Sequence, residues 1–130
     1  MRRGALLWFS LALIVALAAG CGGSSSSYTP EKTRECLVAR GVEIGGKLDF
    51  VASTATGGAF AARLGDNAVK VVFGETEGDA EQIQRAYERF AFSNVRAGLP
   101  DVLRRQGNVV MLWHEHPQDG DLELVVGCLK

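Results

Sequence analysis

The two histidines of the chain, His114 and His116, lie two residues apart. If they end a strand, the period of two places both imidazoles on one face, as a two-histidine metal site needs. Asp119 or Asp121 could supply a third ligand. The same pattern also fits a solvent-exposed strand end before Pro117, and a bare His-x-His pair is a weak metal signal. We therefore expect no metal and no cofactor, and we keep the two histidines as an alternative metal-binding site.

Other patterns that could do chemistry are incomplete. Residues 53–58 form a small-residue loop that could bind an anion, but they lack the lysine and the spacing of a phosphate-binding loop. The sequence has no Gly-x-Ser-x-Gly elbow. The acidic residues within 75–79 precede a helix, where the dipole favours acids. Tyr87, Phe90 and Phe92 could line a ligand pocket, although such residues more often form a core. We therefore expect a protein that is not an enzyme.

The first 20 residues have the composition of an export signal. Arg2 and Arg3 form a positive start, and residues 5–19 carry no charge, with Ser10 as their only polar side chain. As a helix this stretch would span ~22 Å, which is less than the ~30 Å hydrocarbon core of a bilayer. The segment therefore fits the apolar part of a cleaved signal peptide better than a permanent membrane span.

Small residues precede a cysteine at the end of this segment, in the order Leu17-Ala18-Ala19-Gly20-Cys21. This order resembles the lipobox of bacterial lipoproteins, although Ala18 stands where leucine is usual. The resemblance covers residues 1–21. It implies cleavage before Cys21 and transfer to its thiol of a diacylglyceryl group that carries fatty acids such as palmitate, and two acyl chains anchor a protein stably. It thus implies a location on the extracytoplasmic face of the cell membrane. An uncleaved anchor and a buried helix of a larger fold are the alternatives.

The chain after Cys21 divides into a linker and one domain. Residues 22–27 carry only glycine and serine and are predicted to be flexible, with a reach of roughly 13 Å. We expect residues 1–20 to be the cleaved signal peptide and residues 21–28 to be the lipidated cysteine with its linker. Residues 29–130 then form a single α+β domain, because about 100 residues suffice for one small domain.

The charge of the mature chain limits the classes of partner that it is expected to bind. Without residues 1–20 the chain keeps 12 Lys and Arg residues against 15 Asp and Glu residues, a formal charge of −3. It has no basic run and no stripe of basic and aromatic residues, so nucleic-acid binding is not expected. The expected partners are the membrane, through lipidated Cys21, and an unknown envelope protein or small ligand.

Two cysteines remain when lipid occupies Cys21. Export places Cys36 and Cys128 in an oxidising compartment, so the lipoprotein resemblance implies a disulfide between them. It would close a loop of about 90 residues, worth roughly 4–5 kcal/mol in the chain-entropy model. A redox or metal-binding thiol pair is the alternative. Neither cysteine belongs to a Cys-x-x-Cys motif or has a histidine close in sequence.

The first half of the domain predicts a helix, a strand and a hairpin. Thr29 and Pro30 are typical of a helix start, and Gly41 of a helix end. Alternating apolar residues over 47–52 predict a strand. Two further alternating runs, with a Gly-Asp-Asn turn between them, predict a β-hairpin over 59–64 and 68–73.

The second half predicts a helix, a hairpin and a helix. Apolar residues at helical spacing follow Asp79, which we expect to cap the helix. Residues 102–106 and 109–113 predict a second hairpin, whose second strand is apolar on both faces and should be central. The last segment fits a helix capped by Asp119 or Asp121, although it also fits a strand.

These elements predict an α+β fold with a small antiparallel sheet of hairpins. About three helices are expected to pack on one face of the sheet, and the disulfide is expected to join the N- and C-terminal helices. The function predicted from this pattern is a lipid-anchored protein of the bacterial cell envelope with a non-enzymatic binding or interaction domain. Its usage of Ala, Gly, Val and Arg resembles that of small actinobacterial lipoproteins, which transfers no site residues. A ligand- or metal-binding protein that uses His114 and His116 is the alternative, and a hydrolase is the third candidate.

Overall fold

A computed structural model describes residues 27–130 of the 130-residue chain. The signal segment, Cys21 and the linker up to residue 26 lie outside the described residues. The helices are α1 (Pro30–Ala39), α2 (Phe50–Ser53), α3 (Glu77–Phe90), α4 (Ser93–Arg96), α5 (Leu99–Val102) and α6 (Asp119–Cys128). The strands are β1 (Glu43–Ile44), β2 (Ala59–Leu64), β3 (Asn67–Phe73), β4 (Leu103–Gln106) and β5 (Val109–Trp113).

The strands form one antiparallel sheet in the order β1-β2-β3-β5-β4. Both predicted hairpins are present, as β2–β3 and β4–β5, and β5 is internal as its apolar character predicts. The register opposes Ala68 with Arg63 and Lys70 with Leu112. The fold is therefore α+β and antiparallel, in agreement with the sequence.

One face of the sheet is covered by α1 and α6. Its core includes Leu37 of α1, Val125 of α6 and alternate residues of the central strands. Cys36 and Cys128 form the predicted disulfide, with their Cα atoms 5.4 Å apart. The chain end is also fixed in this layer, because the backbone N–H of Thr29 donates to the Lys130 carbonyl at 2.7 Å.

The opposite face is covered by α2 and α3, so the expectation that all helices pack on one face is wrong. Ala80, Ile83 and Tyr87 of α3 pack there against Val72 and Val110. The physical reason lies in the central strands, because β5 is apolar on both faces and β3 places Val72 on the second face, so both faces must be covered.

The strand predicted over 47–52 is wrong. Asp49 instead caps α2, since its Oδ1 accepts a hydrogen bond of 2.8 Å from the N–H of Ala52. Phe50, which an alternating strand would bury, is exposed. The short strand β1 was not predicted, because two residues carry no periodic signal.

The expected caps of two helices are also corrected. The cap of α3 is Thr76, whose side chain accepts from the N–H of Asp79, while the Asp79 carboxylate accepts from the N–H of Thr76. This is a capping box, with the acid at its third position rather than at the cap. The residue before α6 is Gln118, and Asp119 and Asp121 lie in the first turn.

Buried Asn108 joins the start of the described chain to one end of the sheet. Its amide accepts from the N–H of Tyr28 at 2.8 Å and donates to the carbonyls of Tyr28 and Gly74. Gly107 completes the β4–β5 turn with positive φ, and a Cβ at this position would approach the Tyr28 ring to 3.0 Å. Within residues 27–130, no helix has both the length and the apolar character needed to cross a bilayer.

Candidate functional site

A groove of about 850 Å³ lies on the sheet face that carries α2 and α3. It opens where α3 ends, at the end of the sheet that holds the β2–β3 turn. Its walls are the loop before α2, the end of α3, and the segment that contains α4 and α5. Cavities that bind small molecules are typically about 300–1,000 Å³, so this groove has a suitable size.

Small side chains form part of the floor of the groove. Ala61 of β2 and Ala68 of β3 lie there beside Leu112 of β5. Further along the same face, α3 fills the space with Ala80 and Ile83. α3 ends at Phe90 in the wall of the groove, and of the two alanines Ala68 stays partly exposed.

Exposed apolar side chains form the rim of the groove. Phe50 is 76% exposed, Phe90 66% and Phe92 80%. With Val95 they are four of the six large apolar side chains that are exposed within residues 27–130. Because large exposed apolar side chains gathered in one place mark binding surfaces, the rim indicates a ligand or partner.

A polar cluster around Asp49 stands inside the groove. Lys70 forms an ion pair with its Oδ2 at 2.8 Å, and the Tyr87 hydroxyl donates to the carboxylate, 3.1 Å from each oxygen. Asp49 also caps α2. These bonds hold α2, α3 and β3 in one arrangement and thereby fix the inner wall of the groove.

At neutral pH, Asp49 is ionised and Tyr87 keeps its hydroxyl proton. Burial alone raises the pKa of Asp49, but the hydrogen bond from Lys70, the N–H of Ala52 and the charge of Lys70 together hold it below its ordinary value. Burial first, and then the negative charge of Asp49, raise the pKa of Tyr87 far above its ordinary range. Tyr87 therefore remains a hydroxyl donor to a carboxylate, which favours a structural role over acid–base chemistry.

Two further cations line the same wall. Lys47 precedes α2 and Arg63 belongs to β2, and both are exposed at the groove. Among the ion pairs of residues 27–130, neither residue takes part. The wall therefore carries positive charge that Asp49 does not neutralise.

Comparisons with protein-family models, with curated proteins and with solved structures found no match to this chain. Functional inference therefore rests on the groove and on the sequence.

The two histidines make different contacts. Both lie after β5 ends at Trp113. His114 lines the groove, whereas exposed His116 places its Nδ1 2.6 Å from a carboxylate oxygen of Asp101. No group of three or more His, Cys, Asp or Glu side chains within residues 27–130 is arranged to hold a metal ion. The structure thus brings His114 to the candidate site without a set of metal ligands.

The other residues singled out in the sequence divide between the groove and the core. Tyr87, Phe90 and Phe92 all line the groove, and Cys36 and Cys128 are used by the disulfide on the opposite face. Sequence reasoning missed the positions that shape and charge the groove. These are Lys47, Asp49, Ala61, Arg63, Ala68 and Lys70. Only the strand register and the helix caps bring them together, so no local motif identifies them.

Proposed function

We propose that this chain is a lipid-anchored, exported protein of the bacterial cell envelope that binds a small apolar ligand in the groove without transforming it. The observation that carries the binding function is the groove itself, an open cavity of about 850 Å³ with exposed phenylalanines at its rim. A non-enzymatic role is supported by the cluster around Asp49, whose hydrogen bonds connect elements of the fold to one another.

The anchor is supported by the sequence alone. The charge-free stretch over 5–19 and the order of residues 17–21 resemble a lipoprotein leader, and Cys21 is then the lipidated residue. The location that follows is the extracytoplasmic face of the cell membrane. Intact mass of the protein from its native host tests this part, since a chain that starts at Cys21 should carry a lipid-sized increment. An unlipidated chain would contradict the anchor while leaving the groove untouched.

Binding is tested with the neutral fluorescent dye N-phenylnaphthylamine. Residues 21–130 with Cys21→Ser, exported behind a signal peptide whose cleavage does not need Cys21 and purified without detergent, provide the mature chain without acyl chains and without the apolar leader. We expect the dye fluorescence to rise and to saturate at one dye per chain. Ala68→Leu should weaken binding at least tenfold, because it fills the floor of the groove, and a tenfold loss corresponds to about 1.4 kcal/mol.

The rim provides a matched pair of variants. Phe92→Ala should weaken dye binding about fivefold, because it removes an exposed ring from the groove. Val38→Ala removes an exposed apolar side chain from α1, in the layer across the sheet, and should have no effect. Equal effects of the two variants, or an absence of saturable binding, would contradict a ligand site in the groove.

A further inference from the structure

The groove has two chemically different walls. The loop before α2 and the strands β2 and β3 contribute Lys47, Arg63 and Lys70. The end of α3 and the segment beyond it contribute apolar side chains. These are Phe90, Phe92, Val95, Leu99 and Val102. A ligand that matches both walls must be charged at one end and apolar over the rest of its length.

The charges on the polar wall indicate the sign of the ligand. Lys70 is neutralised by Asp49, at 2.8 Å, so it adds no net charge. Glu43 is opposite Arg63 in the β1–β2 pairing, but the two side chains form no ion pair among the described residues. Lys47, Arg63 and Lys70 together exceed Asp49 and Glu43 by one positive charge, so this wall favours an anionic ligand over a neutral or cationic one.

We infer that the groove binds a single-chain amphiphile with a terminal anionic group, such as a long-chain carboxylate. This inference rests on the binding function proposed above. The carboxylate would lie between Lys47 and Arg63, with the guanidinium as a bidentate donor. The chain would cross Ala68 and Leu112 towards Leu99. From β2 to β5 the groove spans two strand spacings, or roughly 10 Å, and Leu99 and Val102 of α5 extend it, so an extended acyl chain can lie along it.

Charge distinguishes this ligand from other occupants of an apolar groove. The first 26 residues of the chain contain Arg2 and Arg3 and no acidic residue, so they lack the negative group that the polar wall requires. Acyl chains on Cys21 would be held by ester and amide bonds and would carry no free carboxylate. A free amphiphile with an anionic head satisfies both walls.

The test compares three amphiphiles that share one alkyl chain and differ in head-group charge. Dodecanoate, dodecanol and dodecyltrimethylammonium are titrated, below their micelle concentrations, as competitors of the bound dye on residues 21–130 with Cys21→Ser. We expect dodecanoate to bind about fivefold more tightly than dodecanol, as an exposed charge pair allows. The cationic amphiphile should bind most weakly.

Variants assign this preference to the polar wall. Lys47→Gln with Arg63→Gln should remove the fivefold preference and leave the affinity for dodecanol unchanged. Lys32→Gln, which removes an exposed cation of α1 on the opposite layer, is the matched control and should change neither affinity. Ala68→Leu should weaken the binding of dodecanoate and of dodecanol alike.

The outcomes separate the inference from the function on which it rests. Equal affinities for the three amphiphiles would overturn the anionic ligand and leave an apolar ligand site standing. No competition by any of them, with no saturable dye binding, would overturn both. Two results would show that the groove is occupied by something other than a free ligand, and either would overturn the inference. One is a dimer that Phe92→Ala dissociates, and the other is binding to phospholipid vesicles without binding of free dodecanoate.

Discussion

Asp49 connects three elements through one carboxylate. It caps α2, pairs with Lys70 of β3 and accepts from Tyr87 of α3. Its side chain and that of Lys70 are each about a third exposed, at 31% and 32%. The ion pair is therefore partly screened by solvent, and its contribution is that of a surface pair, about 0.5–1 kcal/mol.

The stability contributed by this charge should depend on pH. The pKa of Asp49 lies below its ordinary value of 3.8 in the folded protein, so the folded state favours the ionised form. Its contribution is present above about pH 4 and is lost as the pH falls through the folded pKa. We expect Asp49→Asn to lower the free energy of unfolding by about 0.5–1 kcal/mol at pH 7 and by less towards pH 2.

Urea unfolding at several pH values, followed by the fluorescence of Trp113, measures this difference. Asp66→Asn, in the exposed β2–β3 turn, is the control and should show no such trend. A difference between wild type and Asp49→Asn that stays constant from pH 7 to pH 2 would show that the hydrogen-bond geometry matters and the charge does not.

At the scale of elements, two helix starts with the same residue type offer a comparison. Thr76 and Thr29 both occupy the N-cap position, but only the Thr76 side chain makes a capping bond. Thr76→Ala should therefore lower the free energy of unfolding by about 1 kcal/mol. Thr29→Ala should cost less than half as much, since its backbone bond to Lys130 does not need the hydroxyl. Urea midpoints of the two variants decide this, and equal shifts would refute the capping argument.

The elements also show what the sequence could reveal. The two hairpins and helices α1, α3 and α6 follow from local periodicity, glycine turns and start signals, and the structure contains all of them. Over 47–52 the alternating pattern predicted a strand, but the structure has a helix of four residues there, capped by Asp49. A pattern of six residues cannot distinguish these two outcomes.

The groove could not be predicted for a different reason. Ala68 matters because the register places it opposite Arg63 and because it stays partly exposed on the groove floor. Neither condition is local in sequence. The sequence indicated that Tyr87, Phe90 and Phe92 could line a pocket, but it could not place Lys47 and Arg63 across from them.

At the scale of the whole molecule, the described chain starts at one end of the sheet and the groove opens at the other. Tyr28 is bound to Asn108 beside the β4–β5 turn, whereas Ala68 and His114 lie at the end with the β2–β3 turn. If Cys21 carries the proposed anchor, the groove opens away from the tethered end. A ligand could then reach it from the aqueous side of the membrane.

The disulfide belongs to the layer across the sheet from the groove, so stability and binding should separate. Cys36 and Cys128 are 92 residues apart in sequence, and closing such a loop is worth up to roughly 4–5 kcal/mol. Replacing both with alanine should lower the free energy of unfolding by about 3–4 kcal/mol, since measured values fall below the entropic limit.

The same double variant should bind N-phenylnaphthylamine with unchanged affinity under conditions in which it remains folded. Its groove is built by β2, β3, β5 and α3, none of which contains a cysteine. Reductant should reproduce the loss of stability in the wild-type chain and have no effect on the variant. Weaker dye binding by a fully folded variant would show that the packing of α1 and α6 on one face of the sheet affects the shape of the groove on the other. Ligand binding would then depend on whether the disulfide is oxidised or reduced.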